Sequence, residues 1–151
     1  MGGVNAVPAL FLCGCALHAV GYIESSDDGV ELLHGNGRTT PLVLVGDEAE
    51  PVAKLDGWLL DMDGQRRIDG AMRVRSWRAI EGPHGVSAWV GPVQSFGSRV
   101  GIYDRTSQAV YTVDEESSVR LRGLPGALVA AEAWVTGPQA IYVIHLVILD
   151  P

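Results

Sequence analysis

Apolar and polar residues alternate in short runs along this chain, and the runs return about 70 residues later. Laid over each other, Ala19-Val20-Gly21-Tyr22-Ile23-Glu24-Ser25 and Trp89-Val90-Gly91-Pro92-Val93-Gln94-Ser95 match Val, Gly and Ser at a constant offset of 70, with an apolar side chain at Ile23 and Val93. Asp28-Gly29-Val30-Glu31-Leu32 lies over Ser98-Arg99-Val100-Gly101-Ile102, and Gly46-Asp47-Glu48 over Asp114-Glu115-Glu116 after a small slip. Leu55-Asp56-Gly57 meets Leu124-Pro125-Gly126 at offset 69. Self-similarity at a fixed spacing marks one structural unit written twice. Residues 1–82 and 83–151 are therefore expected to be two domains of one design.

Period-two alternation bounded by turn residues predicts five strands in each half. In the first they cover 16–24, 29–34, 40–45, 57–63 and 70–80, and in the second 87–95, 99–104, 108–113, 126–135 and 139–149. Asp28-Gly29, Asn36-Gly37, Asp63-Gly64 and Asp69-Gly70 are turn dipeptides, and Gly137-Pro138 parts the last two strands. Between the third and fourth strands of each half, residues 46–54 and 114–123 have room for a helical turn or two, too little for a crossover to a parallel strand.

Composition supports an all-β class. Of 151 residues 47% are apolar and 19% charged, enough to bury a core, and 19 Gly and 8 Pro are spread along the length. The net charge of −7 comes from seven basic and twelve acidic side chains in residues 1–82, and four and six in residues 83–151. Phosphate backbones and anionic lipids repel such a molecule on average, so a nucleic-acid site must be a local basic patch. Ten of the eleven basic residues are Arg, a bias that a GC-rich genome explains and that also suits forked phosphate contacts.

Cys13 and Cys15, two apart in one extended segment, are poorly placed to bridge each other. His18, His34, His84 and His145 lack the paired spacing that a zinc site needs, so no metal is expected. Residues 1–23 carry no charged side chain, and Leu12-Cys13-Gly14-Cys15 loosely resembles a lipoprotein cleavage box. The basic start of a secretory signal is missing, and Asn5, Pro8, Gly14, His18 and Gly21 interrupt the stretch as a membrane span. Residues 7–23 read as one long or bent strand with a bulge at Gly14 or Gly21. The expected setting is cytoplasmic and off the membrane, with export or lipoprotein processing as the alternative.

Five short strands, a connecting segment between the third and fourth, and a glycine partway along the first follow the order of the OB-fold, the partly open Greek-key barrel. Each half thus resembles an oligonucleotide/oligosaccharide-binding barrel, two in tandem and packed together. Leu124-Pro125-Gly126-Ala127-Leu128-Val129-Ala130-Ala131-Glu132-Ala133-Trp134-Val135 is similar to the fourth strand of single-stranded-DNA-binding barrels. The acidic, aromatic-bearing tail of bacterial single-strand binders does not follow Leu149-Asp150-Pro151, so a recruiter role of that kind is not expected.

The resemblance implies a site on the second and third strands and the flanking hairpin loops. The candidate cluster lies in the first half. Alternation along Ala71-Met72-Arg73-Val74-Arg75-Ser76-Trp77-Arg78 puts Met72 and Val74 on one face and Arg73, Arg75 and Trp77 on the other. Arg66 and Arg67 precede them in the hairpin, and Tyr22 and His34 flank the patch. Guanidinium groups for phosphates and a tryptophan for a base are what a sequence-tolerant single-strand binder in replication or repair needs. The competing reading makes the arginines guards of an edge strand, paired with Glu24, Asp27, Asp28, Asp61 or Asp63.

The last strand, 139–149, is apolar on both faces and must be covered on both sides. The candidates for its cover are the N-terminal segment, the first barrel or a second copy of the chain. His145 then reads as a core histidine, and Trp134 and Tyr142 as interface or core in preference to base-stacking platforms. Neither a nucleophile elbow nor a phosphate loop is present, and Asp61 and Asp63 read as turn-flanking surface, so neither catalysis nor a cofactor is expected. Two functions remain: a single-stranded DNA or RNA binder using Arg66, Arg67, Arg73, Arg75 and Trp77, or a protein-interaction module whose second barrel docks a partner or itself.

Overall fold

The structure, a computed structural model, describes residues 14–33 and 40–151. The first sheet holds β1 (Ala16–Ser26), β2 (Gly29–Leu33), β3 (Leu42–Val45), β4 (Leu59–Arg66) and β5 (Met72–Glu81). The second holds β6 (Ala88–Phe96), β7 (Arg99–Asp104), β8 (Ala109–Val113), β9 (Leu128–Gly137) and β10 (Ala140–Asp150). Each sheet closes on itself, in the order β1-β2-β3-β5-β4 and correspondingly β6-β7-β8-β10-β9. The β3/β5 and β8/β10 pairs are parallel and the other neighbours antiparallel. The only helices among the described residues, α1 (Ala49–Val52) and α2 (Glu115–Leu121), fill the segments between third and fourth strands. The protein is all-β, and no described helix is long and apolar enough to cross a membrane.

Closing five strands into a ring requires the first to pair with two neighbours in turn. β1 follows β4 from Ala16↔Gln65 to Tyr22↔Leu59, then β2 from Tyr22↔Leu33 to Ser26↔Gly29. At the handover a Cβ on Gly21 would overlap the Leu33 carbonyl oxygen. β6 follows β9 as far as Pro92↔Leu128 and β7 from Val93↔Ile102, and there a Cβ on Gly91 would overlap the Tyr103 carbonyl oxygen. The glycine expected at a bulge is instead a corner without a register shift, used because only a residue lacking Cβ lets two backbones approach so closely.

The other matched motif does one job in both halves. Gly57, at φ +79°, donates to the Ile23 carbonyl at 2.8 Å, and Ile23 donates to that of Trp58 at 2.9 Å. Gly126, at φ +87°, donates to the Val93 carbonyl at 2.9 Å, and Val93 donates to that of Ala127 at 2.8 Å. Each pair of bonds fixes the start of a fourth strand against the corner of a first.

Two apolar cores result. Ile23, Leu32, Leu44, Leu60, Met62, Met72 and Val74 fill the first barrel, together with Val52, Leu55 and Trp58 from α1 and the turn after it. Val93, Val100, Ile102, Leu121, Val129, Ala131 and Ile141 fill the second. Asp114 caps α2, accepting from Ser117 N at 2.9 Å and, through its other oxygen, from Val143 N at 3.0 Å. Burial favours its neutral form, but these hydrogen bonds outweigh that and hold the carboxyl below the usual aspartate range.

The first barrel covers the outer face of β9 and β10. Ala130 and Leu149 belong to the first core, and Ala88, Val90, Leu128 and Val147 pack against it, while Val143 and Leu146 pack inward on the second. Lys54 Nζ adds a bond to the Leu149 carbonyl at 2.5 Å. Of the possible covers for the apolar last strand, the first barrel provides this one.

One turn departs from expectation. Asp63-Gly64 is not a turn, because β4 continues to Arg66. Gly64 instead makes room for the Arg73 carbonyl, with which a Cβ would overlap. The part of residues 7–23 before Gly14, and Asn36-Gly37, lie outside the described residues.

Gly91→Ala should lower unfolding stability by about 3 kcal/mol, since carbonyl and methyl cannot share the corner. Gly123→Ala, with open space around it, should change it by no more than about 0.5 kcal/mol. Urea unfolding of the two variants beside the parent checks both.

Candidate functional site

The β4–β5 hairpin presents the basic cluster. Arg67 N donates to the Ala71 carbonyl at 2.8 Å, Gly70 N to that of Arg67 at 3.0 Å and Ala71 N to Asp69 Oδ1 at 3.1 Å. Gly70 turns the chain at φ +86°. Arg66, Arg67 and Arg73 line a cavity of about 630 Å³ with Gln65, Ile68 and Asp69, bounded by Gly14 and Cys15 ahead of β1. Ile68 is 82% exposed at its rim.

The arginines differ in how their charge is met. Arg67 pairs with Asp69 at 3.2 Å and Arg78 with Asp61 at 2.8 Å. His18 lies between Asp61, at 3.5 Å, and Asp63, at 3.0 Å. Among the described residues Arg66, Arg73 and Arg75 have no carboxylate partner. The intramolecular pairing expected of the acids holds for Asp61 with Arg78 and leaves those three guanidinium groups open.

Trp77 is not on their face. The β4–β5 register runs from Asp63↔Ser76 to Gly64↔Val74, so Arg75 is an extra residue in the ladder. Alternation reverses across that bulge: Arg73 and Arg75 point outward, whereas Trp77 lies opposite buried Met62 and packs on the first core with Val90 and Leu128 of the second barrel. It forms a wall of an inter-barrel cleft of about 320 Å³ that Arg75, Arg78 and Arg105 also line.

Tyr22 is 44% exposed but pairs with Leu59 at the end of the β1–β4 ladder remote from Ala16↔Gln65. At about 3.3 Å per residue that is roughly 20 Å from the hairpin. It does not join the cluster, and His34 lies outside the described residues. The structure thus brings together Arg66, Arg67 and Arg73, with Arg75 next along the same outer face.

The corresponding hairpin of the second barrel escaped the sequence reading. Met72 pairs with Leu44 as Ile141 pairs with Val113, so the rung Gln65↔Arg73 corresponds to Trp134↔Tyr142. Trp134 and Tyr142, expected in core or interface, are 55% and 46% exposed. The first barrel reaches only as far along β9 as Leu128, Ala130 and Glu132, and Trp134 is the next outward residue. The apolar tone of β10 concealed this.

Glu132 joins the barrels. It is fully buried and accepts from His84 N at 2.9 Å, His84 Nδ1 at 2.8 Å and Val86 N at 3.0 Å, pinning the 82–87 turn that links β5 to β6. Nδ1 carries the proton, because an ionised carboxylate only accepts. Gly82 leaves the space the carboxylate occupies, and the His145 ring sits 5.9 Å from that of Trp58 and 6.0 Å from that of His84. His145 is therefore an interface side chain, half-buried between the barrels. Burial works against the charge on Glu132, but the bonds from His84 and Val86 prevail and hold its carboxyl below the usual glutamate range.

No protein-family model matches the chain, and no curated protein matches it significantly.

A carboxyl depressed by folding stabilises the native state above its unfolded pKa, and that stability is lost as pH falls through the folded value. Glu132→Gln should cost about 2 kcal/mol at neutral pH. The cost should shrink below pH of about 4.3, where the unfolded glutamate begins to bind its proton. Urea unfolding of parent and variant across pH checks the sign.

Proposed function

We propose that each half is an OB-fold barrel, the second a copy of the first, and that the protein binds single-stranded nucleic acid without sequence preference at the β4–β5 hairpin of the first. The fold reading is supported by the strand order 1-2-3-5-4, the parallel pairing of third and fifth strands and the short helix between third and fourth. In that architecture the loop joining fourth and fifth strands is a usual ligand contact, and here it bears Arg66 and Arg67.

One observation carries the functional reading: among the described residues Arg66, Arg73 and Arg75 stand without carboxylate partners, on a chain of net charge −7. In a protein with eighteen acidic side chains, arginines held in one corner with open charge suit an external anion. Arg73 and Arg75, two residues apart on the outer face of β5, suit successive phosphates better than a single small anion. Affinity would come from counterion release, with Trp77 supporting the cleft wall instead of stacking on a base.

Anisotropy titrations of fluorescein-labelled oligo(dT) across a salt series test this. Binding should weaken steeply with salt, and Arg73→Ala with Arg75→Ala should lower the slope of log K against log salt by about 0.7 per arginine. Salt-independent binding, or none at low salt, would sink the reading.

A further inference from the structure

We infer that Trp134 and Tyr142, on the β9–β10 hairpin, form a stacking platform for the unpaired bases of a bound single strand, complementing the phosphate-binding corner of the first barrel. The inference rests on the reading that this molecule binds single strands.

The two rings are cross-strand partners whose planes differ by 12°, with centroids 6.4 Å apart. Stacked and nearly parallel, with about half of each residue open to solvent, they leave aromatic surface uncovered that such residues ordinarily bury, 150–250 Å² each. No bulge separates them: the register runs unbroken from Ile141↔Val135 through Tyr142↔Trp134 to Val143↔Ala133. The backbone beneath is anchored by the Val143 N bond to Asp114 at 3.0 Å, so the platform is held in place before any ligand arrives.

Its position identifies the occupant. The rung Trp134↔Tyr142 corresponds to Gln65↔Arg73, so one place on the barrel plan carries open positive charge in one copy and aromatic faces in the other. No arginine or lysine lies in 128–142, so this hairpin lacks the guanidinium groups that the first presents. A single strand presents both chemistries, phosphates on one edge and bases on the other, and base stacking on aromatic rings is indifferent to sequence.

A protein partner fits less well. The exposed apolar patch comprises only Trp134, Tyr142 and neighbouring Val135, three side chains against the ~800 Å² per side of a stable interface. Along β9 the surface next to them is already occupied, since Ala130 and Glu132 are buried against the first barrel and the 82–87 turn.

The test compares oligo(dT) with an abasic sugar-phosphate oligomer of equal length. Parent protein should bind oligo(dT) about tenfold more tightly, as stacking of a base or two predicts. Trp134→Ala with Tyr142→Ala should bind both oligomers alike, near the abasic level, and keep the parent's salt slope. Unchanged thermal unfolding would show that these exposed substitutions leave the fold intact. If this variant retains the preference for oligo(dT) while Arg73→Ala with Arg75→Ala loses affinity, the platform is refuted and the arginine site stands. If the parent binds neither oligomer, both readings fall. A solution mass that rises with concentration in the parent and not in the Trp134/Tyr142 variant would assign the surface to a second copy and overturn the inference.

Discussion

The structure depends on two places where one backbone passes over another with nothing between them. At Gly21 and Gly91 the first strand of each sheet leaves one partner for the other, and the carbonyl of Leu33 or Tyr103 occupies the space of the missing Cβ. Without that corner a five-stranded sheet has two edges; with it the sheet is a ring and has none. The rest of the geometry is a consequence. Ring closure draws β3 beside β5 and turns the β4–β5 and β9–β10 hairpins out at corresponding corners.

Because the two rings share one plan, differences between them can be read position by position. The hairpin rung bears Gln65 and Arg73 in one and Trp134 and Tyr142 in the other. The seam between the barrels is apolar around Ala130, Val147 and Leu149, and the fully buried carboxylate of Glu132 is met by three donors from the linking turn. A buried charge satisfied this fully orients the turn and with it the docking of the barrels.

Strand positions were legible because alternation and turn dipeptides act within a few residues. Gly21 and Gly91 stood out because they recur at one offset, although a bulge at Gly14 or Gly21 was the expectation and the corner was not. The cover over β10 followed from its composition, as a strand apolar on both faces has to be packed on both. The site was harder. The bulge at Arg75 adds a polar residue beside polar Ser76, and nothing in the alternation signals it, yet it turns Trp77 from the arginine face to the core. Trp134 and Tyr142 read as core or interface, and their exposure depends on how far the other barrel reaches, which no local pattern encodes. The bonds of Glu132 to His84 and Val86 span more than forty residues and left no local signal either.

In the proposed reading, corresponding corners of the two barrels would take the two halves of one ligand. Amide chemical-shift mapping with oligo(dT) tests this most directly, since it reports both corners in one titration without altering either. The account predicts shifts concentrated at residues 65–75 and 134–142, with α2 unmoved. Amides that stay in place at saturating oligonucleotide, or shifts confined to the β6–β7 turn at the opposite end of the plan, would contradict it.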